Sequence, residues 1–359
     1  MPARAVAEDL EKLRGALRSS PGGRLAIPQY GYPDPDSMAS AWALAELAAR
    51  EGVPADILHI DPVSHAQNRV LARELGVPLT PWADAVARGT EYAWLGVVDA
   101  AMVDPRYGAL AQLPCLCVWD HHAGEPTVTG RVNTILTDVG STCTLAVWYL
   151  DAAGLLAPST ELRVPGTPPP SAGSAVSRLA TALMVGIATD TDDFRLARPV
   201  DFRAAARAAE LADLPSFRRI HRRAYSPAAM KVLHRALDSL VVRDSFGIAW
   251  VGNLPPILRD SIPQAADLLV SRLDLDTVVV FGHVGSMVDG SLRTLDPAVD
   301  TGTLIARALR LGEERAGVSG GGREGKGGFR WSLEDDAAPA IEAVRDQIER
   351  GFLDAATSD

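Results

Sequence analysis

The sequence predicts an α/β fold, with an N-terminal domain built on a mainly parallel sheet flanked by helices and a smaller C-terminal α/β domain. Nearly continuous apolar runs, such as LAIPQ at 25–29 and CLCVWD at 115–120, alternate with helical patterns. Strands that are apolar on both faces are typical of parallel sheets covered on both sides. Later in the chain the pattern starts again. We therefore expect domains at 1–195 and 241–359, joined by a helical linker at 196–240.

Composition limits the class of protein. The chain has 359 residues, enough for about two domains that each bury a core. A net charge of −10 opposes binding to long duplex nucleic acid, which requires a basic face. Three cysteines are too few for a disulfide framework, and no signal peptide or membrane-spanning run is evident. We expect a cytoplasmic protein that does not associate with membranes.

The first strand and helix are predicted from their boundaries. The opening apolar strand ends near Gln29 and leads through the turn YGYPDPDS into the helical pattern DSMASAWALAELAAREG. Asp36 or Ser37 is the expected N-cap of this helix, and Gly52 is expected to end it.

The remaining elements follow the same reasoning. GSTCTLAVWYLDAAGLL is predicted as a helix capped by Ser141, and the Pro-rich segment 158–175 as a surface loop, with its role as a lid left open. In the second domain, GIAWVGN, DTVVVFGHV and GSLRTLD are predicted strands and SIPQAADLLVSRL is a predicted helix. The glycine-rich GVSGGGREGKGGFRW favours a flexible loop.

Polar residues follow several predicted strands at their carboxyl ends. They are Asp34, Asp36, Asp99, Asp120, His121 and His122, joined by Asp190 in the later segment TDTDDF. In parallel sheets, ligands bind at this edge, so separate segments bring carboxylate and imidazole groups together. Several carboxylates would repel one another without a cation. A mixed oxygen and nitrogen ligand set suits Mn²⁺ or a similar divalent ion.

Four segments resemble a known family in their order along the chain. YPDPDS, VVDA, WDHH and GIATDTDDF resemble the motifs of the DHH phosphoesterases, while GSLRT and GGGREGKGGF resemble their C-terminal DHHA1 substrate-binding domain. The resemblance covers about residues 24–335, and the chain length is similar to the nanoRNase and 3′-phosphoadenosine 5′-phosphate (pAp) phosphatase branch. It implies hydrolysis of small phosphorylated nucleotides or short oligonucleotides (nanoRNA, pAp, linear or cyclic dinucleotides) by a metal-activated water, in a cleft between the domains.

The resemblance also implies metal ligands. One site would consist of Asp36, Asp99, His121 and Asp190. The other would use Asp34, with Asp99 bridging, and a histidine at the position that Tyr30 occupies in this chain. A tyrosine phenol, with an ordinary pKa of ~10, is a poor metal ligand at neutral pH. We expect two Mn²⁺ sites, of which this one is weakened, with Mg²⁺ or Co²⁺ as alternative ions.

Further roles follow for residues beside the metal ligands and in the second domain. His122 would contact the phosphate or protonate the leaving oxygen, Asp120 would orient an imidazole, and Asp99 would join them at the catalytic centre. The substrate phosphates would be bound by Arg293, Gly320, Gly321, Gly322, Arg323 and Lys326.

Two other functions stay open. A polyphosphatase or pyrophosphatase is compatible with the same motifs, although the glycine-rich second domain favours a nucleotide. The substitution at Tyr30 is compatible with a catalytically weakened nucleotide-binding sensor. The sequence is also compatible with a homodimer.

Overall fold

A computed structural model describes residues 3–19, 23–63, 65–156, 173–221, 227–272, 274–311, 317–323, 325–333 and 338–356. It divides the chain into two compact units, Met1–Arg223 and Ala224–Asp359. Most of the Pro-rich segment 158–175 lies outside the described residues.

The first unit is a parallel six-stranded sheet flanked by helices, which confirms the predicted fold class. Its strands are β1 (Leu25–Pro28), β2 (Ala55–His59), β3 (Leu79–Pro81), β4 (Trp94–Val98), β5 (Cys115–Asp120) and β6 (Val132–Ile135). Its helices are α1 (Ala3–Arg18), α2 (Pro35–Arg50), α3 (Ala66–Leu75), α4 (Trp82–Ala87), α5 (Thr142–Ala152), α6 (Ala175–Asp190), α7 (Pro199–Ala209) and α8 (Leu214–His221), with a 3₁₀ segment at Pro105–Gln112.

The order of the strands determines where a ligand can bind. The sheet runs β3-β2-β1-β4-β5-β6, and every neighbouring pair is parallel. The chain therefore moves outward in one direction from β1, then returns to the other side of β1 at β4. Such a reversal opens a crevice at the carboxyl ends of the two strands.

The sheet is buried on both faces. One face and its helices share a large core that contains Leu25, Ile27 and Trp119, and the other face packs Ala26, Val97 and the buried ring of Tyr107. Both faces of each central strand are consequently apolar, as the sequence pattern indicates.

The start of α2 differs from the prediction. Its N-cap is Asp34, whose side chain accepts a hydrogen bond from Ser37 N at 2.8 Å, and Pro35 occupies the first helical position. Ser37 Oγ completes the capping box by accepting from Asp34 N. Asp36 thus lies inside the first turn, where its carboxylate is not used as a cap for its own helix. The predicted cap of α5, Ser141, is confirmed.

The second unit is a mixed sheet with helices on both faces. Its strands are β7 (Val241–Arg243), β8 (Phe246–Leu254), β9 (Thr277–Val284), β10 (Met287–Thr294), β11 (Val318–Arg323) and β12 (Lys326–Ser332), in the order β11-β12-β10-β9-β8-β7. Its helices are α9 (Pro227–Asp238), α10 (Ser261–Arg272), α11 (Thr301–Leu309) and α12 (Ala338–Ala356), with a 3₁₀ turn at Pro256–Leu258. Within this second sheet, β8 and β9 form the one parallel pair among the described strands, and the other neighbouring pairs are antiparallel.

The glycine-rich segment forms a hairpin, where the sequence favoured a loop. β11 pairs antiparallel with β12, and β12 pairs with β10. A Cβ atom on Gly290 of β10 would meet the ring of Phe329 at 2.1 Å, and one on Gly320 would meet Ile305 at 2.6 Å. The glycines therefore leave room for large apolar side chains to pack directly on the sheet.

The segment predicted as a linker, 196–240, is largely helical. α7 packs against α5 and α6, and α8 packs against α3 and α6, so both belong to the first unit, whereas α9 packs against β8 and α10 in the second. None of the helices described is both long and apolar enough to cross a membrane.

Candidate metal centre

The candidate site lies at the switch point of the first sheet. Asp34 and Asp36 follow β1, Asp99 follows β4, and His121 follows β5. The carboxyl ends of three neighbouring strands thus bring these residues to one edge.

His121 is the centre of this cluster. Its Nε2 atom lies 2.9 Å from Asp190 Oδ2, 3.6 Å from Asp99 Oδ1 and 3.8 Å from Asp36 Oδ2. The structure thereby brings together the four residues predicted for the first metal site. They come from the segments after β1, β4 and β5 and from the last residue of α6.

Asp36 is buried and is held by the N-terminus of α5. Its Oδ1 accepts hydrogen bonds from Ser141 Oγ at 2.6 Å and Cys143 N at 2.7 Å, and its Oδ2 accepts from Thr142 N at 2.7 Å. A helix N-terminus stabilises a carboxylate through its free N–H groups and its dipole. Since Oδ1 already has two donors, Oδ2, which faces His121, is the oxygen left for a cation.

The same helix terminus contacts Asp99. Thr142 Oγ1 donates a hydrogen bond to Asp99 Oδ1 at 3.1 Å. Asp99 has a left-handed backbone conformation, with φ of 57°, and its amide donates to Trp119 O on β5. A non-glycine residue in this conformation stores local strain, which is common at functional sites.

The negative charges of the carboxylates in the cluster repel one another. Burial raises the pKa of Asp99 well above its usual range, and the neighbouring charges, first that of Asp36, raise it further. Burial likewise raises the pKa of Asp34. Burial lowers the pKa of His121, but the contact with Asp190 and the charge of Asp36 outweigh this effect and raise it to about 9. Without a metal ion, these raised pKa values keep protons bound to the cluster at higher pH than on the same groups in water.

These features fit a divalent cation. His121 Nε2 is buried and has no hydrogen-bond partner among the described residues, although Asp190 Oδ2 lies 2.9 Å from it. Three carboxylates converge on this nitrogen, and a cation would neutralise their repulsion. One imidazole with aspartate oxygens is a ligand set for Mn²⁺ or a similar ion.

Asp120 arranges the two histidines. It is buried and accepts hydrogen bonds from His121 N at 2.8 Å, His122 N at 3.1 Å and His122 Nδ1 at 2.9 Å. An ionised carboxylate only accepts, so Nδ1 of His122 carries the proton and its Nε2 is the basic nitrogen. The ring of His122 is half-exposed, and its Nδ1 lies 3.9 Å from Asp99 Oδ1.

The residues predicted for the second metal site are less closely grouped. One oxygen of Asp34 is used as the cap of α2, and Asp34 acts on Asp99 through its charge. Tyr30, at the position expected for a histidine, is 50% exposed. Another grouping within reach of a metal consists of Asp99, His121 and His122. Neither this grouping nor that of Asp36, His121 and Asp190 includes Asp34 or Tyr30.

A left-handed turn begins at Asp192, two residues after Asp190. Asp192, Asp193 and Phe194 have φ of 51°, 58° and 67°. The turn is tied to α8 by the close contact of Asp193 Oδ1 with His221 Nε2, at 2.7 Å, and to α7 by the ring of Phe194, which stacks on Phe202. These contacts hold the end of α6, where Asp190 lies.

The predicted phosphate-binding residues lie at one end of β10 and of the glycine hairpin in the second unit. Arg293 pairs with Lys326 across the sheet and donates from Nε to Asp267 at 2.6 Å and from Nη1 to Ser291 Oγ at 2.7 Å. Arg323 pairs with Lys326 at the hairpin end, and its side chain lies outside what the structure describes. Gly320, Gly321 and Gly322 are part of β11.

Sequence reasoning missed two sets of residues. Ser141 and Thr142 hold the carboxylates of Asp36 and Asp99, and the predicted helix cap at Ser141 was the only signal for them. The second unit also contains a cavity of about 360 Å³, whose lining includes Arg259, Ser291, Gly320, Gly328, Asp289 and Arg330. Nothing in the local sequence of Asp289 indicates that its buried carboxylate pairs with Arg259 and Arg330.

Comparisons with known proteins show the fold. No protein-family model matches the chain. An uncharacterized protein of Methanocaldococcus jannaschii, MJ1633, is 31% identical over 287 residues, which cover 79% of this chain and 55% of the relative. The chain thus spans about half the length of this relative.

Solved structures extend the likeness over the whole chain. An exopolyphosphatase-related protein from Bacteroides fragilis has a TM-score of 0.68 at 13% identity and covers 98% of each chain. The exonuclease RecJ bound to manganese has a TM-score of 0.47 at 16% identity, covering 100% of this chain and 96% of that chain. The first of these shows that the described architecture is an established fold.

Proposed function

We propose that the chain is a metal-dependent phosphoesterase of the DHH/DHHA1 family that hydrolyses small phosphorylated nucleotides or short oligonucleotides, as in the nanoRNase and pAp phosphatase branch. One observation carries the proposal: His121 Nε2 and the carboxylates of Asp36, Asp99 and Asp190 converge at the switch point of a parallel sheet. The order of the motifs in the sequence supports the same family.

The cation is proposed to be Mn²⁺, held by Asp36 Oδ2, Asp99, His121 Nε2 and Asp190, with a weaker second site at Asp34 and Asp99. When bound, such ions supply charge neutralisation at the phosphate and a water of lowered pKa. Ser141 and the first amides of α5 keep Asp36 in place, so that Oδ2 faces the cluster.

His122 is proposed to act on the substrate. Its Nδ1–H donates to Asp120, which fixes the ring, and leaves Nε2 for a phosphate oxygen or the leaving oxygen. Its half-exposed position allows contact with a ligand. Asp120 itself is buried and acts by orienting the two histidine residues.

The second unit is proposed to bind the remainder of the substrate. Arg293, Arg323 and Lys326 bring three basic residues to the end of the glycine hairpin. Gly321, where an added Cβ atom would meet nothing within 4 Å, leaves the backbone of the edge strand β11 open to a ligand, whereas Gly320 and Gly322 face Ile305 and Thr301. Since Arg293 is already bound to Asp267, a phosphate would have to share or replace that ion pair.

Two alternatives are kept in the test. Hydrolysis of polyphosphate or pyrophosphate is the first, because the Bacteroides fragilis neighbour is exopolyphosphatase-related by name. The second is a nucleotide sensor of weakened activity, because Tyr30 stands where the second metal site would require a histidine.

The test measures product release with Mn²⁺ on a linear dinucleotide, a cyclic dinucleotide, pAp, polyphosphate and pyrophosphate. Asp99→Asn keeps the shape of the side chain and removes a central ligand, whereas Asp84→Asn changes an exposed carboxylate on α4 and serves as the matched control. We expect the wild-type protein and Asp84→Asn to release nucleoside monophosphate or phosphate from a nucleotide substrate, and Asp99→Asn to lose at least about a hundredfold in rate.

The outcomes separate the candidates. Turnover of polyphosphate or pyrophosphate alone would favour the first alternative. Nucleotide binding without turnover would favour the sensor. Turnover that is equal in Asp99→Asn and wild type would contradict a role for this cluster.

A further inference from the structure

Two exposed tyrosines lie on the loop that leads to Asp34 and Asp36. Tyr30 is 50% exposed and Tyr32 is 62% exposed, on the short loop that joins β1 to α2. Neither phenol makes a hydrogen bond, and neither ring stacks, with any residue in the described part of the chain. A tyrosine ring combines an apolar face with a polar hydroxyl, which suits an exposed position that binds a ligand.

The loop that carries them is fixed on both sides. Before Tyr30, Gln29 N donates to Leu58 O at 2.8 Å, and the buried Tyr107 hydroxyl donates to Gln29 O at 3.2 Å. After Tyr32, Asn68 Nδ2 donates to Pro33 O at 3.1 Å. The two tyrosines therefore project from a backbone that is anchored immediately before and after them.

The local sequence stiffens the loop further. Pro28, Pro33 and Pro35 restrict the backbone at three positions, and Gly31, between the tyrosines, has a left-handed φ of 69°. A ring on a stiff backbone loses little conformational entropy when it binds a partner, because tyrosine has two side-chain torsions. The arrangement is suited to binding a flat ligand.

The position of the loop in the sequence suggests the chemical class of the flat ligand. Tyr32 lies two residues before Asp34, and Tyr30 lies four residues before it. Even a fully extended chain therefore places the Cα atoms of Tyr32 and Tyr30 no more than roughly 7 and 14 Å from the Cα atom of Asp34. A nucleobase is separated from its phosphate by one sugar. A phosphate bound at the metal centre would place its base within reach of these rings.

We propose that Tyr30 and Tyr32 form a stacking platform for a nucleobase of the substrate. This inference rests on the proposed function and narrows it to substrates that carry a base. Bases stack on aromatic side chains with little dependence on sequence, so the platform would favour short oligonucleotides of mixed composition over polyphosphate. The residue at position 30 would then contribute to substrate binding in place of metal binding.

The test compares two ligands that differ only in the presence of their bases. One is a phosphorothioate-linked dinucleotide, which resists hydrolysis, and the other is the same molecule with both bases absent. Calorimetry with the full chain and Mn²⁺ gives the dissociation constant of each for wild type, Tyr30→Ala, Tyr32→Ala, Tyr30→Phe and Tyr32→Phe. Val86→Ala, which shortens an exposed side chain on α4, is the control.

We expect each alanine variant to bind the complete dinucleotide at least about fivefold more weakly and the base-free ligand with unchanged affinity. The phenylalanine variants, which restore the ring without the phenol, should recover the affinity for the dinucleotide. With a hydrolysable dinucleotide, KM should rise in the alanine variants while kcat changes by less than about twofold.

The design separates this inference from the proposed function. If the wild type binds the dinucleotide but hydrolyses no substrate, the phosphoesterase proposal fails, and a loss of binding in the alanine variants still supports the platform. If turnover occurs and the alanine variants bind both ligands as the wild type does, the platform is wrong. Equal affinity of the wild type for the two ligands, or no binding of either, would also overturn it.

Discussion

At the level of single residues, the site depends on how a few carboxylates are held. Asp36 and Asp99 are separate in sequence, yet both receive hydrogen bonds from the first residues of α5. Sequence motifs identified the acidic residues, because they follow strands at one sheet edge. They did not identify Thr142, since a threonine in the first turn of a helix has no distinctive pattern.

Thr142→Val tests the hydrogen bond to Asp99. Loss of the Oγ1–H donor should raise the pKa of Asp99 further and weaken Mn²⁺ binding by about tenfold, because hydrogen bonds to charged groups contribute about 1.5–3 kcal/mol. Thr144→Val is the matched control, since Thr144 Oγ1 donates to Asp201, away from the cluster. Isothermal calorimetry measures both affinities. Equal weakening by the two substitutions would contradict a specific role for Thr142.

His121 should make the stability of the metal-free protein depend on pH. Its pKa is about 9 in the folded chain and ~6.5 when unfolded, so its stabilising contribution is complete below pH ~6.5 and is lost as the pH rises through about 9. In the presence of a chelator, the free energy of unfolding should fall on the order of 2 kcal/mol over this range.

His121→Asn should reduce that dependence and leave the part that comes from the raised pKa of Asp99, while His234→Asn, a change at an exposed residue of α9, should retain it in full. Urea unfolding at several pH values gives the comparison. A slope between pH ~6.5 and about 9 that is as steep in His121→Asn as in the wild type would show that another group is responsible.

At the level of elements, the site depends on the close approach of α2, α5 and α6. Gly186 of α6 makes this possible, because a Cβ atom there would meet Cys143 Sγ at 2.5 Å, Pro35 O at 3.1 Å and Asp36 Cα at 3.2 Å. The glycine is thus a contact point between the helix that carries Asp190 and the two segments that hold Asp36.

Gly186→Ala should destabilise the protein by about 1–3 kcal/mol and weaken Mn²⁺ binding, because the added methyl group displaces the backbone of Asp36. Gly15→Ala is the control, since no atom lies within 4 Å of the added Cβ in α1. It should stabilise the protein by about 0.5–1 kcal/mol through helix propensity. Thermal unfolding and calorimetry report on the two effects. Stabilisation by Gly186→Ala would contradict the packing described.

The elements also show where sequence patterns are sufficient. The apolar strands β1, β4 and β5 follow from the sequence, because continuous burial leaves a continuous apolar run. The three-residue β3 and the segment VNTI of β6 lack such a run, and their pairing with neighbouring strands defines them. The glycine hairpin was predicted as a loop, because the packing of Phe329 over Gly290 is not visible in the sequence.

The start of α2 illustrates a finer limit. Asp34, Asp36 and Ser37 are all acceptable cap residues by type. Pro35, which favours the first helical position, and the capping box with Ser37 select Asp34. The selection matters for the site, because it leaves the carboxylate of Asp36 available to α5.

At the level of the whole molecule, each unit has its own core. The first unit contains two apolar clusters on the faces of its sheet, and the second contains another two. All the proposed metal ligands belong to the first unit, which ends at Arg223. The proposed cation site is therefore contained in that unit.

A fragment of residues 1–223 should fold and bind Mn²⁺ with an affinity within about threefold of that of the full chain, because ligands and supporting contacts all lie within it. Circular dichroism and calorimetry on the fragment test this expectation. Its matched variant, the same fragment with Asp99→Asn, should fold but bind weakly. A folded fragment without affinity would show that the second unit contributes ligands.

The central claim is that His121, Asp36, Asp99 and Asp190 hold a divalent cation, and the most direct measurement is a calorimetric titration of the chelator-treated full chain with Mn²⁺. The wild type should bind at least one ion per chain. Binding should be lost or weakened at least about a hundredfold in His121→Asn and unchanged in Asp84→Asn. Wild-type affinity in His121→Asn would contradict the claim.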